Sequence, residues 1–182
     1  NELPAIVRDI DDNARARCIV ISSTGKHFCA GMDLSVFTDG EGVTGGEPAD
    51  RFVAAESFRR HVHHLQDTFS CLDEARMPVI AAIQGGCIGG AVDFTSACDI
   101  RYASDKARLG EVAVPAGFVP ESGGARNLPK LVGVGRAMEM ILTGEIIDAS
   151  AAERIGLVER VYPHDKLMDE VFAIAAKIAS AP

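Results

Sequence analysis

An α/β fold with largely parallel strands is predicted by three observations. Short β-branched runs at Arg17–Ser23 (RCIVISS) and Val79–Ile83 (VIAAI) read as buried strands. Helical segments alternate with such runs along the chain. Turns rich in small residues follow the first two strands directly. With 182 residues, 47% hydrophobic and 24% charged, the chain fits a single domain, 1–182. A core of that size needs neither disulfide nor metal.

The elements follow in order. Asn1–Ile10 reads as a helix, and Arg17–Ser23 as the first strand. Thr24–Leu34 is turn-rich, and Thr38–Asp50, without apolar periodicity, is expected to be a mobile loop. Phe58, Val62, Leu65, Phe69 and Leu72 step by 4, 3, 4 and 3, one face of a long helix that Asp50 would cap. Pro78 stops that helix before the strand Val79–Ile83. Gln84–Gly90 (QGGCIGG) holds four glycines in seven residues and reads as tight turns. Ala91–Cys98 is then a helix, Ile100–Ala103 a strand and Arg108–Val114 an extended piece. Ala116–Gly124 is a loop that leads into a helix to Val132. Arg136–Leu142 and Ser150–Ile155 are helices, Leu157–Tyr162 a strand, and Lys166–Ser180 an amphipathic helix. The opening helix without earlier context, and Pro182 after a helix, give the expectation of a chain trimmed at both ends.

Several function classes are disfavoured. Against 26 Asp and Glu stand 18 Lys and Arg, a net charge of −8 that argues against binding nucleic acid through its phosphates. Arg51, Arg59 and Arg60 on the long helix are interleaved with Glu56, Asp67 and Asp73, so no basic face forms there. No apolar run is long enough to span a membrane, and no signal-peptide pattern is read at the start. Cys18, Cys29, Cys71, Cys87 and Cys98 are odd in number and contain no C-x-x-C pair. They read as reduced core or near-core thiols of a cytoplasmic or other reducing compartment. Gly40, Gly42 and Gly45 spell G-x-G-x-x-G, but in an acidic loop rather than between a strand and a helix, so no nucleotide is expected. His61, His63 and His64 lack the spacing of helical metal ligands, and no metal is expected.

The turns carry the chemistry. His27-Phe28-Cys29-Ala30-Gly31-Met32-Asp33-Leu34 follows the first strand, and Gly85–Asp93 (GGCIGGAVD) follows the second. Both place unhindered backbone N–H groups at a strand's carboxyl end, the second also at a helix start. Two converging donors would form an oxyanion hole. The alternative is that each is only a tight turn. Asp93, an acid among Ala91, Val92 and Phe94, is expensive to bury unless paired or functional; it could also be a cap. Glu121 lies just before a helix start. Asp99 reads as structural, and Glu111 could point inward or outward.

Taken together, Phe28–Leu34, Pro78–Gly85, Gly89–Asp93, Ala97–Arg101, Gly117–Gly124, Leu142–Gly144 and Ala152–Val161 resemble the crotonase family, the enoyl-CoA hydratase/isomerase superfamily. The resemblance implies a crotonase-like spiral of ββα units, with the first strands and C-terminal helices missing here, and assembly as a homotrimer or hexamer. It implies an acyl-CoA thioester substrate, with coenzyme A as part of that substrate and no separate cofactor. The thioester carbonyl would accept from the backbone N–H groups of Ala30 and Gly90, and the reaction would pass through an enolate. Lys26, His27, Phe28, Ala30, Gly31, Asp33, Leu34 and Gly89 would line the coenzyme A path, and the 38–50 loop would border the acyl pocket.

The reaction is less determined. Asp93 corresponds to the first acid of the hydratases, but the second falls on Ala113, which has none. Glu121 falls on an acid position used by isomerases of the family, and the Gly85–Asp93 stretch is most similar to dienoyl-CoA isomerases. The implied reaction is a proton shift that moves a double bond in a fatty enoyl- or dienoyl-CoA, with Asp93 and Glu121 as the proton carriers. Two carboxylates in one apolar pocket would have their pKa values pushed apart. A 2-enoyl-CoA hydratase and a non-catalytic CoA-ester-binding protein are the alternatives.

Overall fold

The computed structural model describes residues 2–31, 51–117, 119–120 and 122–181. The expected loop 38–50, the Asp50 cap and the G-x-G-x-x-G run lie outside the described residues, as do Asp33, Leu34 and Glu121.

Among the described residues, seven strands form two sheets. β1 (Ile19–Ile21), β2 (Val79–Ile83), β4 (Ile100–Ser104) and β7 (Arg160–Tyr162) make a parallel sheet in the order β1-β2-β4-β7. β3 (Gly86–Ile88), β5 (Arg108–Gly110) and β6 (Ile147–Asp148) make the second, in the order β3-β5-β6. In it β3 runs parallel to β5, and β5 antiparallel to β6. The helices are α1 (Leu3–Asp12), α2 (Arg51–Asp73), α3 (Gly90–Ser96), α4 (Gly124–Val132), α5 (Val134–Thr143), α6 (Ala149–Arg154) and α7 (Leu167–Ala179). A repeat is visible in the chain order: β2-β3-α3, then β4-β5-α4. Each unit gives its first strand to the larger sheet and its second to the smaller.

β2 is the centre of the core, and all five of its residues are buried. Its side chains alternate between two apolar clusters, as the strand period requires. Val79, Ala81 and Ile83 join the larger cluster with Leu109, Leu128 and Leu157. Ile80 and Ala82 join Leu167, Val171 and Ala175 of α7 on the other face. A parallel sheet covered on both faces reads as a continuous apolar run, which is why VIAAI was legible. Asp99 has the structural role expected: its carboxylate accepts from the Val79 N–H at 2.8 Å and fixes the start of β2.

The structure corrects several expectations. The Gln84–Gly90 run is not all turn, because Gly86–Ile88 is a strand. The extended pieces are shorter than expected, three residues at Arg108–Gly110 and three at Arg160–Tyr162. β6 had no expectation at all. Of the apolar stripe of α2 only Leu72, at the C-terminal end, is fully buried, and Phe58 remains 45% exposed. Cys71, Cys87 and Cys98 are core thiols and Cys18 is half-buried, but Cys29 is exposed.

Candidate functional site

The carboxyl ends of β1 and β2 are tied together by their turns. At the end of β2 the Gln84 side chain donates to the Ser23 carbonyl at 2.6 Å and the Gly25 carbonyl at 3.1 Å. The Gln84 carbonyl accepts from the Phe28 N–H at 2.7 Å. Gly85 has φ +59°, and a Cβ there would lie 2.3 Å from the Lys26 carbonyl oxygen. Only glycine lets the two turns approach so closely. The Gly86 N–H donates to His27 Nδ1 at 2.9 Å, which makes Nε2 the protonated nitrogen of the neutral ring.

From there the two segments run side by side. The Cys29 N–H donates to the Gly86 carbonyl, and the Ile88 N–H to the Cys29 carbonyl, both at 3.1 Å. Cys29 thus pairs as an isolated parallel bridge with Cys87. One residue on, a Cβ on Gly31 would lie 3.1 Å from the Ile88 carbonyl oxygen. Ala30 is therefore held beside the Ile88–Gly90 segment. Gly89, at φ +60°, turns the chain into α3, and its N–H is held by the Gly110 carbonyl at 2.8 Å. Gly90 is the first helical residue. Among the described residues, neither the Ala30 nor the Gly90 N–H has a backbone acceptor. Both residues are exposed. Two adjacent, unhindered donors of this kind can stabilise a developing oxyanion without reorganisation.

Asp93 stands one turn further along α3 and is 3% exposed. Its carboxylate packs against the first residue of α4, Gly124, where a Cβ would lie 2.0 Å from Oδ1. The start of α4 is thus placed at Asp93. A cavity of about 200 Å³ adjoins this point, lined by Gln66, Phe69, Ser122, Gly123 and Asn127. A larger surface cavity of about 420 Å³ is lined by Arg136, Glu139, Arg154 and neighbours and contains none of the expected site residues.

Of the remaining candidates, Lys26 and His27 are exposed at the turn, Gly31 is half-buried and Gly89 is buried. Phe28 is half-buried, its ring 6.2 Å from that of Phe94, which in turn packs edge-on against Phe69 at 6.0 Å. His61, His63 and His64 are exposed on α2, and among the described residues no metal-ligating cluster forms. Sequence reasoning left Glu111 open and did not single out Gly124. Glu111 is fully buried. The signal was parity: Glu111 lies two residues beyond Leu109, whose side chain is in the core.

The family model for enoyl-CoA hydratase/isomerase matches residues 1–182. The chain belongs to the enoyl-CoA hydratase/isomerase family. The peroxisomal Delta(3,5)-Delta(2,4)-dienoyl-CoA isomerase of Arabidopsis thaliana is 36% identical over 168 residues, 92% of this chain and 60% of the relative. The crystal structure of an enoyl-CoA hydratase from Bacillus anthracis superposes with a TM-score of 0.85 at 36% identity, covering 99% of this chain and 65% of that one. A Thermobifida fusca protein solved in complex with CoA has a TM-score of 0.80 at 36% identity, covering 91% of this chain and 63% of that one. The chain thus spans less than two thirds of each relative's length. The crotonase fold expected from the motifs is the fold of this chain, and both isomerases and hydratases stand among its relatives.

Proposed function

We propose that this chain carries the acyl-CoA site of an enzyme that shifts a double bond in an enoyl- or dienoyl-CoA. The observation that carries the reading is the bridge that sets Ala30 beside Ile88–Gly90, with both N–H groups open and a buried acid one helical turn away. The thioester oxygen accepts from Ala30 and Gly90, and negative charge that develops on it in the enolate is stabilised there. Asp93, with Glu121, takes a proton from one acyl carbon and returns it to another. Lys26, His27, Phe28, Gly31, Asp33, Leu34 and Gly89 line the coenzyme A path. No cofactor beyond the substrate's own coenzyme A is required. The full protein works as a homotrimer or hexamer in a reducing compartment.

A second reading, hydration of a 2-enoyl-CoA with Asp93 and Glu121 holding the water, is supported by the enoyl-CoA hydratase of Bacillus anthracis among the similar structures. Ultraviolet spectra of the full-length protein, mixed separately with a 2-enoyl-CoA and a 3,5-dienoyl-CoA, separate the readings. A rise in conjugated 2,4-dienoyl absorbance supports the proton shift. Replacing Glu121 by Gln should then abolish turnover and leave CoA-ester binding intact. Loss of enoyl absorbance supports hydration instead. If neither spectrum changes while CoA esters bind, the chain is a CoA-ester-binding protein.

A further inference from the structure

The cavity of about 200 Å³ beside Asp93 lies one helical turn beyond that acid. Ala97, which caps α3 and follows Asp93 by four residues on the same face, lines it. So does Gly123, the neighbour of the Gly124 that Asp93 packs against. A row of rings joins the cavity to the oxyanion segment. Phe28, two residues before Ala30, stands 6.2 Å from Phe94, and Phe94 stands 6.0 Å from Phe69, which lines the cavity. From Gly90 to Ala97 the chain rises about 10 Å along the helix axis. An acyl chain held by its thioester at Gly90 and passing Asp93 would end here.

The remaining lining is polar, with Gln66, Ser70, Ser122 and Asn127 among it. Asn127 is the informative residue. It is 7% exposed, and its Oδ1 accepts from Arg126 Nε at 3.1 Å and from Lys130 Nζ at 3.5 Å. The two cations fix the amide, with oxygen toward them and nitrogen away. Nδ2 lies 3.6 Å from where a Cβ on Gly123 would stand, at the cavity wall, and has no acceptor among the described residues. A buried donor without a partner costs stability. A tail of methylenes leaves it unmatched, whereas an oxygen on the tail satisfies it.

Resting on the acyl-CoA reading above, we propose that Asn127 sets the substrate class: the acyl chain carries an oxygen acceptor, a hydroxyl or a carboxylate, at its distal end. Nδ2 donates to that oxygen, and the hydroxyls of Ser70 and Ser122 line the same space. An alkyl tail of equal length buries the Asn127 donor unpaired and is disfavoured.

The test uses the wild-type full-length protein and 2-enoyl- and 3,5-dienoyl-CoA esters of one chain length, about eight carbons for a span of about 10 Å. The esters end in a methyl, a hydroxyl or a carboxylate group. The expected result is a kcat/KM about tenfold or more higher for the hydroxyl or the carboxylate ester than for the methyl ester. Values within threefold of one another, or a preference for methyl, overturn the proposal and leave the acyl-CoA reading in place. If the esters bind without turnover, the same comparison is made on Kd. If none binds, the acyl-CoA reading fails and this proposal falls with it. N127L, which removes the donor, should then lower the ratio of polar to methyl ester by about tenfold. An unchanged ratio overturns the assignment to Asn127. Where N127L does not fold, N127D gives the same readout, because Arg126 and Lys130 balance the new charge.

Discussion

The Asp93 carboxylate occupies the space that a side chain on Gly124 would need: a Cβ there would lie 2.0 Å from Oδ1 and 3.1 Å from Cγ. α3 and α4 are thereby joined at a buried acid, and the glycine that opens α4 is needed to admit it. In the G124A variant, Asp93 or the start of α4 must move. The overpacking is expected to cost about 1–3 kcal/mol. Turnover should fall further than stability, because the displaced group is a proposed proton carrier. Thermal melts and kcat on the CoA ester, read together, check this. Unchanged kcat would remove Asp93 from the chemistry.

Gly85 and Gly90 stand five residues apart and should respond oppositely to alanine. At Gly85, φ is +59° and the new Cβ meets the Lys26 carbonyl oxygen at 2.3 Å, a backbone atom. Left-handed strain of about 1–2 kcal/mol adds to the clash, and G85A should melt several degrees lower. At Gly90 an added Cβ meets nothing within 4 Å. G90A should keep its melting temperature, since alanine is the better helix former. Its methyl group would stand where the thioester must approach, so kcat/KM should drop at least tenfold in a stable protein. Full activity in G90A would place the oxyanion donors elsewhere.

Legibility in the sequence followed the strength of local signals. β2 was readable because five apolar residues covered on both faces leave an uninterrupted run. Asp93 was conspicuous as an acid between apolar neighbours, and it is buried. β3 was not readable, because a three-residue strand that begins with glycine and is followed by two more has no period and no propensity. Glu111 could be read only by parity with the buried Leu109, and a strand of three residues offers little alternation to extend. Gly124 could be understood only once Asp93 was seen against it.

Arg101 is a structural cation and should behave as one. It is 2% exposed, and its guanidinium donates to the Cys98 carbonyl at 2.6 Å, the Leu157 carbonyl at 3.0 Å and Glu159 Oε1 at 2.5 Å. R101M leaves two carbonyls without donors, a loss of about 2–4 kcal/mol. The Glu159 side chain is 39% exposed and can turn to water, so E159Q should cost less than about 1 kcal/mol. Urea unfolding of the two variants checks the order. Equal losses would mean that the ion pair, rather than the carbonyl bonds, holds β4 to the 157–159 segment.

The buried thiols predict a loss of stability in alkali. Burial pushes Cys87 and Cys98 from an ordinary 9.0 up to about 12. Below pH 9 each thiol is protonated in both states and contributes no pH dependence. Between pH 9 and about 12 the unfolded chain releases these protons while the folded chain keeps them, so unfolding gains with rising pH. Each thiol then removes about 1.4 kcal/mol per pH unit. Urea melts at pH 8.5, 9.5 and 10.5, as chosen test conditions, should show a falling free energy, with a slope smaller by about one thiol's share in C98A. A thiol reagent at neutral pH should meanwhile modify the exposed Cys29 rapidly and reach Cys87 and Cys98 only on unfolding. Simultaneous modification of all three in the native protein, or an unchanged slope in C98A, would contradict the buried assignment.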